Sequence, residues 1–310
     1  MIICASRRTD IPAFHSEWMM NRLRAGTVLV RNPVSRTTVS RIDLTRRNVD
    51  CILFMTKDPG PMVPHMREIG RMGHMTLFHV TLTPYGRDLE PGVRFKADVN
   101  DSCIELSDRI GRDRMVWRYD PVILNRGITL DYHRRKFEML CREASEWTDR
   151  CIFSFVDIYG KLLGLEEAGI IRRVTSAEMD GFVKMASEVA SDYGISLSSC
   201  CSRRDFSAFG VEPRGCLDRE TMRVLGIPYE TQESPLRDGC RCVKSIDIGE
   251  YDTCGHGCVY CYAGRGDRVP GSYRLYSDDS ELLWGSVMPR DRIIDMRGRA
   301  AERLPSYNPI

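Results

Sequence analysis

Three cysteines, Cys254, Cys258 and Cys261, stand at x3 and x2 spacing in the run CGHGCVYC. Thiolates so placed can wrap a short loop round one face of an iron–sulfur cube, whose full shell takes four. Three leave one iron open. An open iron can take the amino and carboxylate groups of S-adenosylmethionine, and an electron from the [4Fe-4S] cluster can then cleave the sulfonium to a 5′-deoxyadenosyl radical. Gly255 and Gly257 suit close approach of backbone to such a cluster. Tyr260 directly precedes the last thiol, and His256 reads as a flanking residue rather than a ligand. Zinc is the alternative: Cys240 and Cys242 with Cys258 and Cys261 supply two close pairs for a tetrahedral ion, which leaves Cys254 without a role.

The chain has 13 cysteines, and eight fall within residues 200–261. Cys200, Cys216, Cys240 and Cys242 make a second set of four, sufficient for an auxiliary [4Fe-4S] cluster, with Cys201 as a spare. Structural zinc and unligated thiols are the alternatives for this set. Cys4, Cys51, Cys103, Cys141 and Cys151 lie among apolar neighbours and read as small buried hydrophobes. Thiols clustered in this way point to metal or redox chemistry when the compartment is reducing.

Composition agrees with such a compartment. The 310 residues are 42% hydrophobic and 28% charged, which fits a globular protein and excludes wholesale disorder. A net charge of +2 supplies no global drive towards nucleic acid or membrane. No apolar run approaches membrane-spanning length, and Arg7, Arg8 and Asp10 come too early for a signal peptide. A cytoplasmic protein with no membrane partner is expected.

Elements that could position the thiols alternate along the chain. β-Branched or aromatic runs at 2–5, 52–56, 77–82, 115–119, 152–156, 195–198 and 246–248 read as strands, and 27–30 as a further strand or part of a hairpin. Helical patterns occupy 17–23, closed by Gly26, and 131–144. A third opens with the capping pair Thr175 and Glu178. This alternation predicts an α/β fold with a parallel sheet, open or closed into a barrel. The organisation expected is 1–199 for barrel strands and helices, 200–244 for a cysteine-rich insertion, and 245–310 for one more strand, the cysteine loop and a tail.

Polar residues follow five of the apolar runs. In parallel α/β barrels ligands bind at the C-terminal strand ends. Ser6, Arg8, Thr9, Asp10, Lys57, Arg118, Asp120, Ser154 and Asp157, with Tyr260 from the loop, are therefore the candidates for a cofactor or substrate pocket. The first fifty residues hold nine Arg against four acids, an excess of +5. Arginine forks suit phosphate, so a nucleotide or nucleic-acid substrate is compatible, against the plainer reading of a solvated basic surface.

The run CGHGCVYCYA (254–263) resembles the cluster motif of radical S-adenosylmethionine enzymes, particularly the spore photoproduct lyase and its photolyase-like relatives. With SRRTDIPAF (6–14), VRNP (30–33), VWRYDP (116–121) and SIDIGEYDTCGHGCVYCYA (245–263), the chain also resembles an uncharacterised bacterial family of unknown function with such a cysteine cluster. The resemblance implies a partial TIM-type (β/α)6 barrel, a three-cysteine [4Fe-4S] cluster, S-adenosylmethionine, and a reductant such as a flavodoxin or ferredoxin. Most radical enzymes carry the loop after the first barrel strand, whereas only 49 residues follow Cys261 here. A circularly permuted barrel resolves this: the strand at 245–248 comes first, and those at 2–5, 52–56, 77–82, 115–119 and 152–156 follow as strands two to six. The competing class is a non-catalytic metal-binding protein in which the thiols only staple the C-terminal region.

Overall fold

The structure is a computed structural model that describes residues 1–227, 239–264 and 276–296. Parts of the expected 200–244 and 245–310 segments therefore lie outside the described residues. In chain order the elements are β1 (Ile2–Ala5), α1 (Ile11–Phe14), α2 (Ser16–Ala25), β2 (Thr27–Arg31), β3 (Thr38–Asp43), β4 (Cys51–Thr56), α3 (Met66–Arg71), β5 (Thr76–Thr81), α4 (Lys96–Ile110), β6 (Met115–Val122), α5 (Leu130–Ala144), β7 (Arg150–Phe155), α6 (Gly160–Glu167), α7 (Ser176–Asp192), β8 (Ser196–Ser199), β9 (Glu212–Pro213), α8 (Arg219–Val224), β10 (Ile246–Asp247) and β11 (Arg292–Met296). The fold is mixed α/β, with an eight-stranded, mostly parallel sheet in the order β10-β1-β4-β5-β6-β7-β8-β9. Among the described residues no helix is long and apolar enough to cross a membrane.

The chain divides into two compact units. The first comprises Met1–Phe78, Arg87–Phe95 and Ser245–Ile310. Its central strand β1 reads IICA and is buried throughout, as expected of a parallel strand covered on both faces. β1 pairs in parallel with β10 (Ile3 with Ile246) and with β4 (Ile3 with Ile52). α2 stops at Gly26, which takes the left-handed conformation at φ +70 and donates its N–H to Leu23. The 27–30 run is one arm of a hairpin: β2 pairs antiparallel with β3, and β11 adds to β3 in parallel.

The second unit comprises His79–Gly86 and Lys96–Lys244. β6, β7, β8 and β9 pair in parallel. Their core is aromatic: the Trp117 ring stacks on Phe137 at 5.1 Å, and Tyr119 packs on Phe182 at 5.9 Å. The Tyr119 hydroxyl pairs with His133 Nδ1 at 2.6 Å, so this polar tip is satisfied inside the core. α7 begins with the full capping box: Thr175 Oγ1 accepts from the Glu178 N–H, and the Glu178 carboxylate accepts from the Thr175 N–H. Cys4, Cys51, Cys103, Cys141 and Cys151 are fully buried, each within its own unit.

Candidate functional site

In the first unit the segment after β1 meets the segment after β10. Asp247, the last residue of β10, accepts from Ser6 Oγ (2.8 Å) and the Gly249 N–H (3.0 Å) on one oxygen and from the Arg7 N–H (2.8 Å) on the other. Ser6 Oγ in turn accepts from the N–H groups of Arg8 and Thr9. Gly249 is required here, since a Cβ on it would stand 2.1 Å from Ser6 Oγ. Arg8 spans back to the Gly249 carbonyl and lies over the Tyr251 ring. Thr9 is buried, and its hydroxyl finds no partner among the described residues.

Asp10 holds three elements at once. Its Oδ1 accepts from Ala13, capping α1, while its Oδ2 accepts from the Lys57 N–H just beyond β4 (2.7 Å) and faces His256 Nε2 at 2.8 Å. His256 is thus a buried brace of the cysteine loop. Its ring meets Phe14 edge-on at 4.6 Å. Gly255 answers to packing: a Cβ there would lie 2.7 Å from the Phe14 ring.

The loop is closed on itself by the Asp252 N–H to the Ala263 carbonyl and the Cys261 N–H to the Cys258 carbonyl. Residues 89–92 clamp it, with Val259 donating to Leu89 and Gly92 donating to His256. The Cys261 sulfur accepts the Ala263 N–H at 3.3 Å, the kind of contact that stabilises a thiolate at an iron–sulfur centre. Burial pushes the Cys254 thiol well above its ordinary range. Lys57 Nζ and the Tyr260 hydroxyl both donate to Glu90 Oε1, the former at 2.7 Å. Tyr260 and Lys57 are therefore engaged with a buried carboxylate. Among the described residues, no three His, Cys, Asp or Glu side chains are gathered around one point as a finished ion site.

In the second unit Arg118, Asp120 and Ser154 come together beside the other cysteine set. Arg118 Nη1 donates to Cys216 Sγ at 2.7 Å, Nη2 pairs with Asp120, and Ser154 Oγ donates to Asp120. Asp157 is exposed in the segment after β7. Cys200 Sγ lies 3.4 Å from Cys216 Sγ and 3.6 Å from Cys201 Sγ, and Cys242 is within hydrogen-bonding reach of Cys216 and Cys240. Hydrogen bonds with the Cys200 and Cys242 sulfurs and, less strongly, Arg118 beside it hold the Cys216 thiol well below the ordinary thiol range.

The basic N-terminal stretch is largely neutralised. Arg7, Arg24, Arg31, Arg36 and Arg41 face Asp247, Glu68, Asp291, Glu250 and Asp295 within 3.4 Å. The excess read from the first fifty residues therefore meets acids that come later in the chain. Sequence reading missed Asp247 and Glu90. Asp247 was legible as the polar end of a strand in SIDIG, whereas nothing local marks Glu90 in LEPG as an acceptor.

Fold and site together define a mixed α/β protein with two thiol groups, one on a clamped loop and one beside a buried arginine. Within that class the chain belongs to the DUF1848 family, a domain of unknown function, which matches residues 2–263. Comparison with curated proteins gives no match. Among solved structures, one described as an alpha-L-fucosidase from Bacteroides thetaiotaomicron is 9% identical, with 69% of this chain and 81% of that chain covered. At a TM-score of 0.26 it carries no argument about fold or activity.

Proposed function

We propose that the protein is a radical S-adenosylmethionine-type enzyme whose open-site [4Fe-4S] cluster is held by Cys254, Cys258 and Cys261. The observation that carries this reading is the construction of the loop: three thiols lie between the backbone bonds that close residues 252–263, and one sulfur already accepts a backbone N–H. When bound, such a cluster with S-adenosylmethionine supplies a 5′-deoxyadenosyl radical.

The chain's own residues do the positioning. Asp10 and His256 fix the loop against the end of β1, and Glu90 anchors Tyr260 between two cysteines. Thr9 offers an unpaired hydroxyl one residue before that anchor, a group available to a polar ligand. The strand order β10-β1-β4-β5-β6-β7 supports the finer reading of a circularly permuted (β/α)6 partial barrel, with β10 as its first strand. The electron would come from a partner of the flavodoxin or ferredoxin class. With five N-terminal arginines committed to carboxylates, a nucleic-acid substrate has no support beyond the resemblance.

The test is anaerobic reconstitution with iron and sulfide, reduction by dithionite and addition of S-adenosylmethionine. 5′-Deoxyadenosine should accumulate, and Cys258→Ala should abolish it. An intact cluster that leaves S-adenosylmethionine uncleaved would place the protein among non-catalytic metal binders.

A further inference from the structure

The second cysteine group is built by three separate segments, and two glycines permit their convergence. Cys200 follows β8 directly, and Cys216 follows β9 by three residues; the two strands are parallel neighbours, with Ser199 opposite Pro213. Gly215 lies so close to the third segment that a Cβ would stand 2.7 Å from the Arg241 carbonyl oxygen and 2.9 Å from the Cys242 nitrogen. That approach sets Cys216 beside Cys242. Gly239, in the left-handed region at φ +75, presses on the Cys201 backbone and delivers Cys240. Cys200, Cys240 and Cys242 are buried, while Cys201 and Cys216 are half-buried. Cys201 is itself held at φ +52, an uncommon conformation for a side-chain-bearing residue.

The sulfur spacing discriminates between metal centres. A tetrahedral ion with metal–sulfur bonds of about 2.3 Å places its thiolates about 3.8 Å apart. Thiolates at the corners of a four-iron cube stand much further apart, because the inorganic core lies between them. The Cys200–Cys216 separation, 3.4 Å, falls within a few tenths of an ångström of the tetrahedral edge. The contacts run as a chain from Cys200 through Cys216 and Cys242 to Cys240 and, among the described residues, are not gathered round one point, so an ion held there would draw Cys240 and Cys242 inward. Four thiolates round a divalent ion carry a net negative charge. The Arg118 guanidinium, 2.7 Å from Cys216 Sγ, is placed to offset it.

We propose that Cys200, Cys216, Cys240 and Cys242 hold a single tetrahedral divalent ion of the zinc type, not the auxiliary iron–sulfur cluster expected from their number. Cys201 is the fifth sulfur, 3.6 Å from that of Cys200, which it follows directly in sequence; it is more exposed than Cys200, Cys240 and Cys242. The inference stands on different residues from the loop at 254–261 and does not depend on the function proposed for it.

The decisive sample is the full chain carrying Cys254→Ala, Cys258→Ala and Cys261→Ala, purified without added metal and analysed for zinc, iron and acid-labile sulfide. About one zinc per chain is expected, with cobalt substitution giving the absorption bands of a tetrahedral thiolate site. Adding Cys216→Ser should remove the zinc, whereas Cys201→Ser should retain it. A second measurement uses the unmodified protein: Cys200, Cys216, Cys240 and Cys242 should resist alkylation until a chelator is added. Iron with sulfide at this set, four thiols alkylated at once without chelator, or zinc lost with Cys201→Ser would each overturn the assignment. A loop that takes up no cluster in unmodified protein still retaining its zinc would defeat the proposed function and leave this inference intact.

Discussion

Asp10 Oδ2 and His256 Nε2 lie 2.8 Å apart although 246 positions separate them in sequence. The same carboxylate caps α1 and receives the backbone of Lys57, so one side chain ties the ends of two strands to the cysteine loop. Asp10→Asn keeps the shape but turns one acceptor into a donor, leaving either the Ala13 N–H or the Lys57 N–H facing another donor. A loss of about 1–3 kcal/mol in unfolding free energy is expected, read from denaturant melts. A change below about 0.5 kcal/mol would mean that the loop holds its place without this contact.

Gly255 and Phe14 offer a steric test. Gly255→Ala forces a methyl against the ring and should cost about 1–3 kcal/mol. Trimming the ring in the double variant Phe14→Leu/Gly255→Ala should recover part of that loss. Additive losses in the two single variants and the double would show that the glycine serves some other purpose.

Glu90 is 1% exposed and neutralised by Lys57. Lys57→Met strands that carboxylate and should destabilise the protein by about 3 kcal/mol. In Lys57→Met/Glu90→Gln no buried charge remains, so most of the loss should return. Thermal melts of the two variants side by side decide the matter.

His79 is fully buried, neither ring nitrogen has a hydrogen-bond partner among the described residues, and burial lowers its pKa to about 3. Burial, with Arg46 nearby, lowers His74 to about 4. Both must stay neutral in the folded chain, whereas in the unfolded chain each takes a proton below about pH 6.5. The unfolded state then binds more protons, so stability falls as the pH drops from about 6.5 towards 4, with His79 alone contributing a slope of about 1.4 kcal/mol per pH unit. His79→Leu should flatten the profile over that window. An unchanged slope would mean that the imidazole reaches water.

Legibility in the sequence followed the range of the interaction. Buried parallel strands announce themselves as short apolar runs, so β1, β4 and β7 were visible within a residue or two. α4 was not, because its apolar residues Val99, Cys103, Leu106 and Ile110 are diluted by charges, although their spacing is helical. The three-thiol motif is local and legible. Its supports are not: the Asp10–His256 and Lys57–Glu90 contacts join residues that only the tertiary fold brings together. Cysteine number alone suggests a second metal site, cluster or zinc, whereas sulfur spacing is a property of packing and no count supplies it.

The place of β10 beside β1 bears on how the chain is born. β1 leaves the ribosome ahead of β4, which covers one of its edges soon afterwards. The other edge waits for Ile246 and Asp247, some two hundred residues later. Throughout that interval a nascent chain presents a bare, wholly apolar strand border, the kind of template that recruits foreign strands. Heterologous production should therefore yield most soluble protein when elongation is quick or a holding chaperone is abundant, and C-terminal truncations that remove β10 should aggregate even though they leave β1 and β4 untouched.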